Sequence, residues 1–305
     1  MPVTLEDKLV IAIASTALFD LAEADRIYRE NSLEAYREYQ LANEDNPLSP
    51  GTAFPLVKGL LRINQLAKVH LVEVILLSRN DPDSGLRIGN SLEHWKLPIR
   101  RAGFTDGRPP FEYLGAFWCD LYLSTKRPEV LKAKAAGYPA AYVYEPPEPD
   151  KLDLSPNEVR IAFDCDAVIF SDEADRIYQQ EGLEAFQKYE ALHEGTPLEP
   201  GPLKGFLEGL SRIQKLFPET ECPIRASIVT ARSMPAHKRP VKTLRKWDIR
   251  LDEAFFLGGI EKARILKVLK PHIFFDDQTS NLEPARVHVP VAEVPADIDT
   301  GGEGR

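Results

Sequence analysis

Val159-Arg160-Ile161-Ala162-Phe163-Asp164-Cys165-Asp166-Ala167-Val168 begins as a short apolar run and ends in two acids one residue apart. Five residues of this character, bounded by polar ones, read as a buried β-strand. Carboxylates at the end of a buried strand are costly unless they are paired or used. Taken alone, Asp164 and Asp166 fit a turn equally well, since Asp is common in turns. The rest of the chain decides between the two.

The stretch has an earlier counterpart. Glu23-Ala24-Asp25-Arg26-Ile27-Tyr28 returns as Glu173-Ala174-Asp175-Arg176-Ile177-Tyr178, and Pro47-Leu48-Ser49-Pro50-Gly51 as Pro197-Leu198-Glu199-Pro200-Gly201, both displaced by 150 positions. The apolar run Leu9–Ile13 is the partner of Val159–Phe163. A period this long is not a solenoid's; it marks two whole domains from a duplication. The Pro-rich segment Glu145-Pro146-Pro147-Glu148-Pro149 suits neither a helix nor a central strand and reads as a linker. The expected division is 1–145, a linker over 146–157, 158–292, and a disordered tail over 293–305.

Within the second copy, Leu203, Phe206, Leu207, Leu210, Ile213 and Phe217 recur at helical spacing, and Ala226–Val229, Ala254–Leu257 and Ile273–Phe275 are strand candidates. Strands alternating with helices predict an α/β fold with a mainly parallel sheet. Ligands of such sheets sit at the carboxyl ends of the strands.

Those ends carry a pattern. Ser227-Ile228-Val229 runs into Thr230-Ala231-Arg232-Ser233, where Ser233 is placed to cap a following helix. A hydroxyl beside amides that open a helix makes a cradle for phosphate. Lys262 opens a helical stretch after Gly258-Gly259, and His272-Ile273-Phe274-Phe275 ends in Asp276-Asp277. Alone, Thr230 is an ordinary strand end and Lys262 a solvated side chain. The order Asp-x-Asp, Thr, Lys, Asp-Asp resembles the four-motif signature of the haloacid dehalogenase-like (HAD-like) phosphohydrolases. The texts around Asp164, Thr230 and Asp276, with Gly201-Pro202-Leu203-Lys204-Gly205-Phe206-Leu207 and Pro50-Gly51-Thr52-Ala53-Phe54-Pro55, resemble the cytosolic type I 5′-nucleotidase family over roughly residues 5–290. Cys165 stands where that pattern has glycine, and an exposed thiolate there would be open to oxidation.

The resemblance implies two tandem HAD-like Rossmannoid domains, each with a helical cap-like insert after its first strand; in the second domain the cap spans about 171–222. It implies a Mg²⁺-dependent phosphatase of nucleoside 5′-monophosphates, with Asp164 as nucleophile and Asp166 as acid and base. Mg²⁺, which takes hard oxygen ligands, would be held by Asp164, the Asp166 carbonyl, Asp276 and Asp277. Phosphoryl oxygens would meet Thr230, Ala231, Arg232 and Lys262. The alternatives are a phosphatase of another small phosphomonoester, such as a sugar phosphate, and a non-catalytic nucleotide-binding protein. Tyr178, Phe186, Tyr189 and Phe206 could stack on a base or form the cap's own core.

In the first copy Asp164 falls against Ala14, Asp166 against Thr16, Thr230 against Ser78, Lys262 against Pro110, and Asp276-Asp277 against Ser124-Thr125. This domain is expected to be non-catalytic and to bind no Mg²⁺. Its role stays open among scaffold, regulatory nucleotide site and wall of the other pocket.

The 305 residues, 43% hydrophobic, are ample for sizeable cores. A formal charge of −9 argues against a nucleic-acid polymer as partner. Cys119, Cys165 and Cys222 match no zinc or disulfide pattern, and no apolar run approaches membrane-spanning length. Together with an N-terminus unlike a signal peptide, these features predict a cytoplasmic protein; they set no oligomeric state.

Overall fold

The structure, a computed structural model, describes residues 4–145, 152–154 and 156–296. Ten strands form one sheet: β1 Leu9–Ala14, β2 Val72–Ser78, β3 Arg101–Phe104, β4 Leu121–Ser124, β5 Ala140–Val143, β6 Val159–Phe163, β7 Ile224–Thr230, β8 Glu253–Phe256, β9 Ile273–Asp276 and β10 Val291–Glu293. Their order is β3-β2-β1-β4-β5-β10-β9-β6-β7-β8. All pairings are parallel except β5 with β10. The fold is mixed α/β, with a large, mostly parallel sheet.

Each half contributes five strands in the same order, and the pairing register repeats as well. Ile13 lies between Leu76 and Leu123 as Phe163 lies between Ile228 and Phe275. Counting on from these pairs sets Ser78 opposite Thr230 in role, and Ser124-Thr125 opposite Asp276-Asp277.

The halves do not stand apart as two separately sheeted units. β5 and β10, the equivalent last strands, pair antiparallel through Ala292↔Val143 and Glu293↔Tyr142, so the sheet runs on from one half into the other. Antiparallel pairing of equivalent strands is what a two-fold contact between like units demands. It also removes an edge from each half. Glu293 and Val294, placed in the tail by sequence, belong to this join: Val294 donates to the Asp276 carbonyl at 2.9 Å, and Arg127 grips Glu293 at 2.6 Å. The remaining tail residues from 297, and linker residues 146–151 and 155, lie outside the described residues.

One face of the sheet carries a core common to both halves, including Leu9, Ile11, Ile13, Ile161 and Phe163. The opposite face has two cores, one around Val10, Ala12 and Tyr122, the other around Ala162, Val229 and Phe274. In the shared core, the helix Phe54–Ala67 touches β2 and β6, while the helix Lys204–Gln214 touches β7 and β1. Each helix bears a glycine at the crossing. A methyl on Gly59 would come within 2.7 Å of Val159 Cγ2, and one on Gly209 within 2.7 Å of Leu9 Cδ1.

The amphipathic helix of the second half thus packs on the sheet, with Phe206, Leu207, Leu210 and Ile213 buried. Of the stretch expected as a cap, it is the helix Glu173–Leu192, broken at Gly182, that lies over the strand ends.

Candidate active site

β6 ends at Phe163, and Asp164 follows with extended backbone while its amide donates to the Phe275 carbonyl of β9 at 2.8 Å. The chain then makes one wide turn over Cys165–Ile169, closed by Phe170 N donating to Cys165 O at 2.9 Å. Ala167 sits at φ 56°, a left-handed conformation that costs an L-residue about 1 kcal/mol. Phe170 and Gly201 clamp the turn from behind: a Cβ on Gly201 would lie 2.3 Å from the Phe170 carbonyl oxygen, so only glycine fits. The strained turn places the carboxyls of both Asp164 and Asp166 at the end of the sheet, each 5% exposed.

Lys262, the first residue of the helix Lys262–Leu269, brings its Nζ to 2.8 Å from Asp164 Oδ2 and 2.7 Å from Asp276 Oδ2. Asp276 ends β9, and its other oxygen accepts from Gln278 N at 2.8 Å and Asn281 Nδ2 at 3.2 Å. Asp277 follows. Oxygens of Asp164, Asp276 and Asp277 lie within 4.8 Å of one another, and the buried Oδ1 of Asp277 has no hydrogen-bond partner.

One lysine faces three carboxylates here, and the electrostatics follow. Burial opposes the charge on Lys262, but Asp164 and Asp276 outweigh it and hold its pKa above the usual lysine value. Burial raises Asp164 well above the usual carboxyl range; Lys262 pulls it back only in part, and Asp276 and Asp166 add to the rise. Asp277 is pushed up to about 7, by burial first and then by Asp276 and Asp175. Asp175, on the covering helix, is pushed up to about 6 by burial and by Asp166. Such crowding is relieved by a hard cation, and the unpartnered Asp277 oxygen with an all-oxygen donor set fits Mg²⁺.

Asp166 is turned away from this cluster. Its two oxygens accept from Arg232 Nε at 2.8 Å and Nη2 at 2.6 Å. The Arg232 guanidinium, assigned by sequence to substrate, is therefore committed to Asp166 and, through Nη1, to Glu190 at 2.5 Å. Thr230, fully buried at the end of β7, accepts from Arg232 N at 3.2 Å. Ala231 lies between them at the start of the same loop. Ser233 does not cap the short turn that follows: its buried Oγ is without a partner. Cys165 is fully buried, and burial, followed by the two flanking carboxylates, pushes its thiol well up, so it is not an exposed thiolate.

Three of the aromatics expected in the cap pack within the protein. Phe206 packs between Phe163 and Phe275, Phe186 lies under the Arg232 guanidinium, and Tyr189 stacks on His193. Sequence reasoning missed Glu190, Arg239, Asp175 and Asn281. Their neighbours give each the look of a solvated helix residue, and only the fold turns them inward.

At the same strand ends of the first half lies a cavity of about 850 Å³, lined among others by Ala14, Thr16, Ser78, Arg79, Thr125 and Lys126. Its hydroxyls satisfy one another, Ser15 Oγ with Ser78 Oγ at 3.0 Å and Thr125 Oγ1 with Thr16 Oγ1 at 2.6 Å. No helix among the described residues is long and apolar enough to cross a membrane.

A family model described as 5′-nucleotidase matches residues 1–301, and the chain belongs to that family. It is similar to human cytosolic 5′-nucleotidase 1B, 39% identical over 292 residues that cover 92% of this chain. The chain spans about half of that relative, 48% of its length.

Proposed function

With membership of that family as the premise, we propose that the chain is a Mg²⁺-dependent phosphatase that hydrolyses nucleoside 5′-monophosphates through an aspartyl phosphate on Asp164. The observation that carries this reading is the buried arrangement Asp164–Lys262–Asp276, at 2.8 and 2.7 Å, with Asp277 beside it at the ends of adjacent strands. Asp164, Asp276, Asp277 and the Asp166 carbonyl would hold Mg²⁺, which when bound offsets the charge of the phosphoryl oxygens and of the crowded carboxylates. Lys262 and Thr230 bind phosphoryl oxygens, with Ala231 and the Arg232 backbone shaping the loop around them.

Asp164 attacks phosphorus, and the bond from phosphorus to the 5′-oxygen breaks while Asp166 delivers a proton to that oxygen. Asp166 then takes a proton from water, which attacks phosphorus and releases phosphate with Asp164 restored. Burial of Asp164 and Lys262 keeps competing water from the nucleophile and strengthens their attraction for phosphate. The helix Glu173–Leu192 is the cap that selects the leaving group.

The repeated strand order and register support the reading of the halves as duplicated HAD-like units, 1–145 and 158–292, of which the first is a non-catalytic scaffold. A cytoplasmic location is in keeping with the name of the human relative and with the composition.

The test is phosphate release from a panel of nucleoside monophosphates and sugar phosphates, with Mg²⁺ or with EDTA. Nucleotides should be preferred, EDTA should abolish release, and Asp164→Asn should be inactive while folded. Equal turnover of sugar phosphates would overturn the substrate assignment, and full activity in EDTA the metal assignment.

A further inference from the structure

Behind Asp166 lies a charge network with no role in the chemistry so far. Arg232 holds both Asp166 oxygens through its planar fork and passes its third nitrogen, Nη1, to Glu190 Oε2 at 2.5 Å and to the Ala236 carbonyl at 3.5 Å. The other Glu190 oxygen accepts from Arg239 Nη1 at 2.9 Å, while Arg239 Nε donates to the Thr196 carbonyl at 2.9 Å. Arg239 Nη2 also meets the partly exposed Glu173 Oε2 at 3.4 Å, and Asp166, Glu190, Arg232 and Arg239 are each 5% exposed or less. The network joins three elements: the strand-end turn with Asp166, the covering helix Glu173–Leu192 with Glu190, and the helix Lys238–Lys246 with Arg239.

Stability alone does not call for such an arrangement. Apolar side chains of similar volume would anchor the covering helix as well or better, because burying four charges costs as much as their pairing returns. What apolar contacts cannot do is fix the plane of a carboxyl, which a bidentate guanidinium does. We propose that Glu190 and Arg232 are positioning residues for proton transfer: Glu190, on the covering helix, sets the guanidinium of Arg232, whose fork orients the carboxyl of Asp166. The inference rests on the reading of Asp166 as the proton donor. To carry its proton, Asp166 must give up one of the two bonds from Arg232. Glu190 and the Ala236 carbonyl hold the guanidinium in place as it does so, and the seating of the covering helix is thereby coupled to delivery of the proton.

The experiment compares kcat/KM, with saturating Mg²⁺, for a nucleoside 5′-monophosphate and for its analogue with sulfur in place of the bridging 5′-oxygen. The sulfur leaves as thiolate and needs no proton. Asp166→Asn serves as reference and should lose about 10²-fold or more on the oxygen substrate, with a far smaller loss on the sulfur one. Glu190→Gln keeps the shape but not the charge, and should lose about 10-fold on oxygen and less than about 3-fold on sulfur. Arg232→Lys keeps the charge but not the fork, and should show the same split; it decides alone if Glu190→Gln does not fold. If Asp166→Asn shows no split, the proton-donor reading fails. If Asp166→Asn splits while the positioning variants lose equally on both substrates, or lose nothing, the coupling through Glu190 is overturned.

Discussion

The turns that leave β1 and β6 differ by one residue. In the first half Phe19 N closes on Ser15 O, an ordinary helical turn; in the second Phe170 N closes on Cys165 O, one residue further back. After the turns, Gly51 N meets Leu18 O, and Gly201 N meets Ile169 O in the same way. The extra residue is absorbed within Asp164–Val168, where Ala167 takes the left-handed conformation. The rest of the frame is kept. At these strand ends the first half sets hydroxyls that bond to one another, the second carboxylates paired with a lysine and an arginine. The two strand-end sites therefore differ in a strained turn and a set of charges, not in the sheet, and the cavity of the first half shows that the frame holds a pocket open without that turn.

The sharpest break of this comparison is chemical. Asp164→Asn should reduce kcat by about 10⁴-fold or more with an unchanged melting temperature, and Ala14→Asp should add no activity to that variant, because Thr16, Pro110, Ser124 and Thr125 stand where the second half has its second acid, its lysine and its acidic pair. Activity restored by Ala14→Asp would show that the first half retains a working site. A chain beginning near residue 150 removes the partner of β10 and bares the shared core. It should be insoluble or inactive, as read by sedimentation and phosphate release; a soluble, active half would show that the common sheet is dispensable.

The two glycines sharpen the comparison at a finer scale. Gly59→Ala drives a methyl into the stiff Val159 with Pro156 behind it at 3.2 Å, while at Gly209 the neighbour is the pliable end of Leu9. Overpacking should outweigh the gain in helix propensity at Gly59, costing about 1 kcal/mol, and the two should roughly cancel at Gly209. Equal effects in chemical denaturation would remove the distinction.

The smallest expected effect is at His272, next to β9, whose Nδ1 accepts from Arg160 N at 2.9 Å. Burial, the largest cause, holds its pKa below the ordinary 6.5. The unfolded chain then binds the proton more readily, so stability falls as pH drops through about 6.5 towards the folded value. The drop in melting temperature between pH 7.5 and 5.5 should shrink by roughly 1–2 °C in His272→Gln; an unchanged drop would mean that His272 does not titrate there.

Much of this was legible because strands that are buried on both faces announce themselves as apolar runs. Leu9–Ile13, Val159–Phe163 and Ile273–Phe275 each fall within an observed strand, and the ordered acids and lysine after them meet in space. The join of the halves was not legible. β5 and β10 are four and three residues long, too short to show a period, and their pairing lies beyond any local signal. Nor does sequence tell a carboxylate paired with a lysine from one gripped by an arginine: Asp164 and Asp166 are two residues apart, and the turn that opens at Cys165 parts them. Its position after the first motif points the amphipathic helix Lys204–Gln214 to the cap, although its apolar stripe suits a sheet face equally, and there it packs.

The pairing of β5 with β10 also sets an order of events during synthesis. Val143 leaves the ribosome 150 residues before Glu293, an interval of roughly 8–30 s at ordinary elongation rates. Throughout that time the completed first half presents β5 as an open edge, and Leu9 waits for the helix that carries Gly209. The nascent chain is thus exposed to pairing with a neighbour on the same message, and a slow-translating or truncated message would lengthen the exposure. Chaperone demand should accordingly track the time taken to translate the second half rather than the total length of the chain.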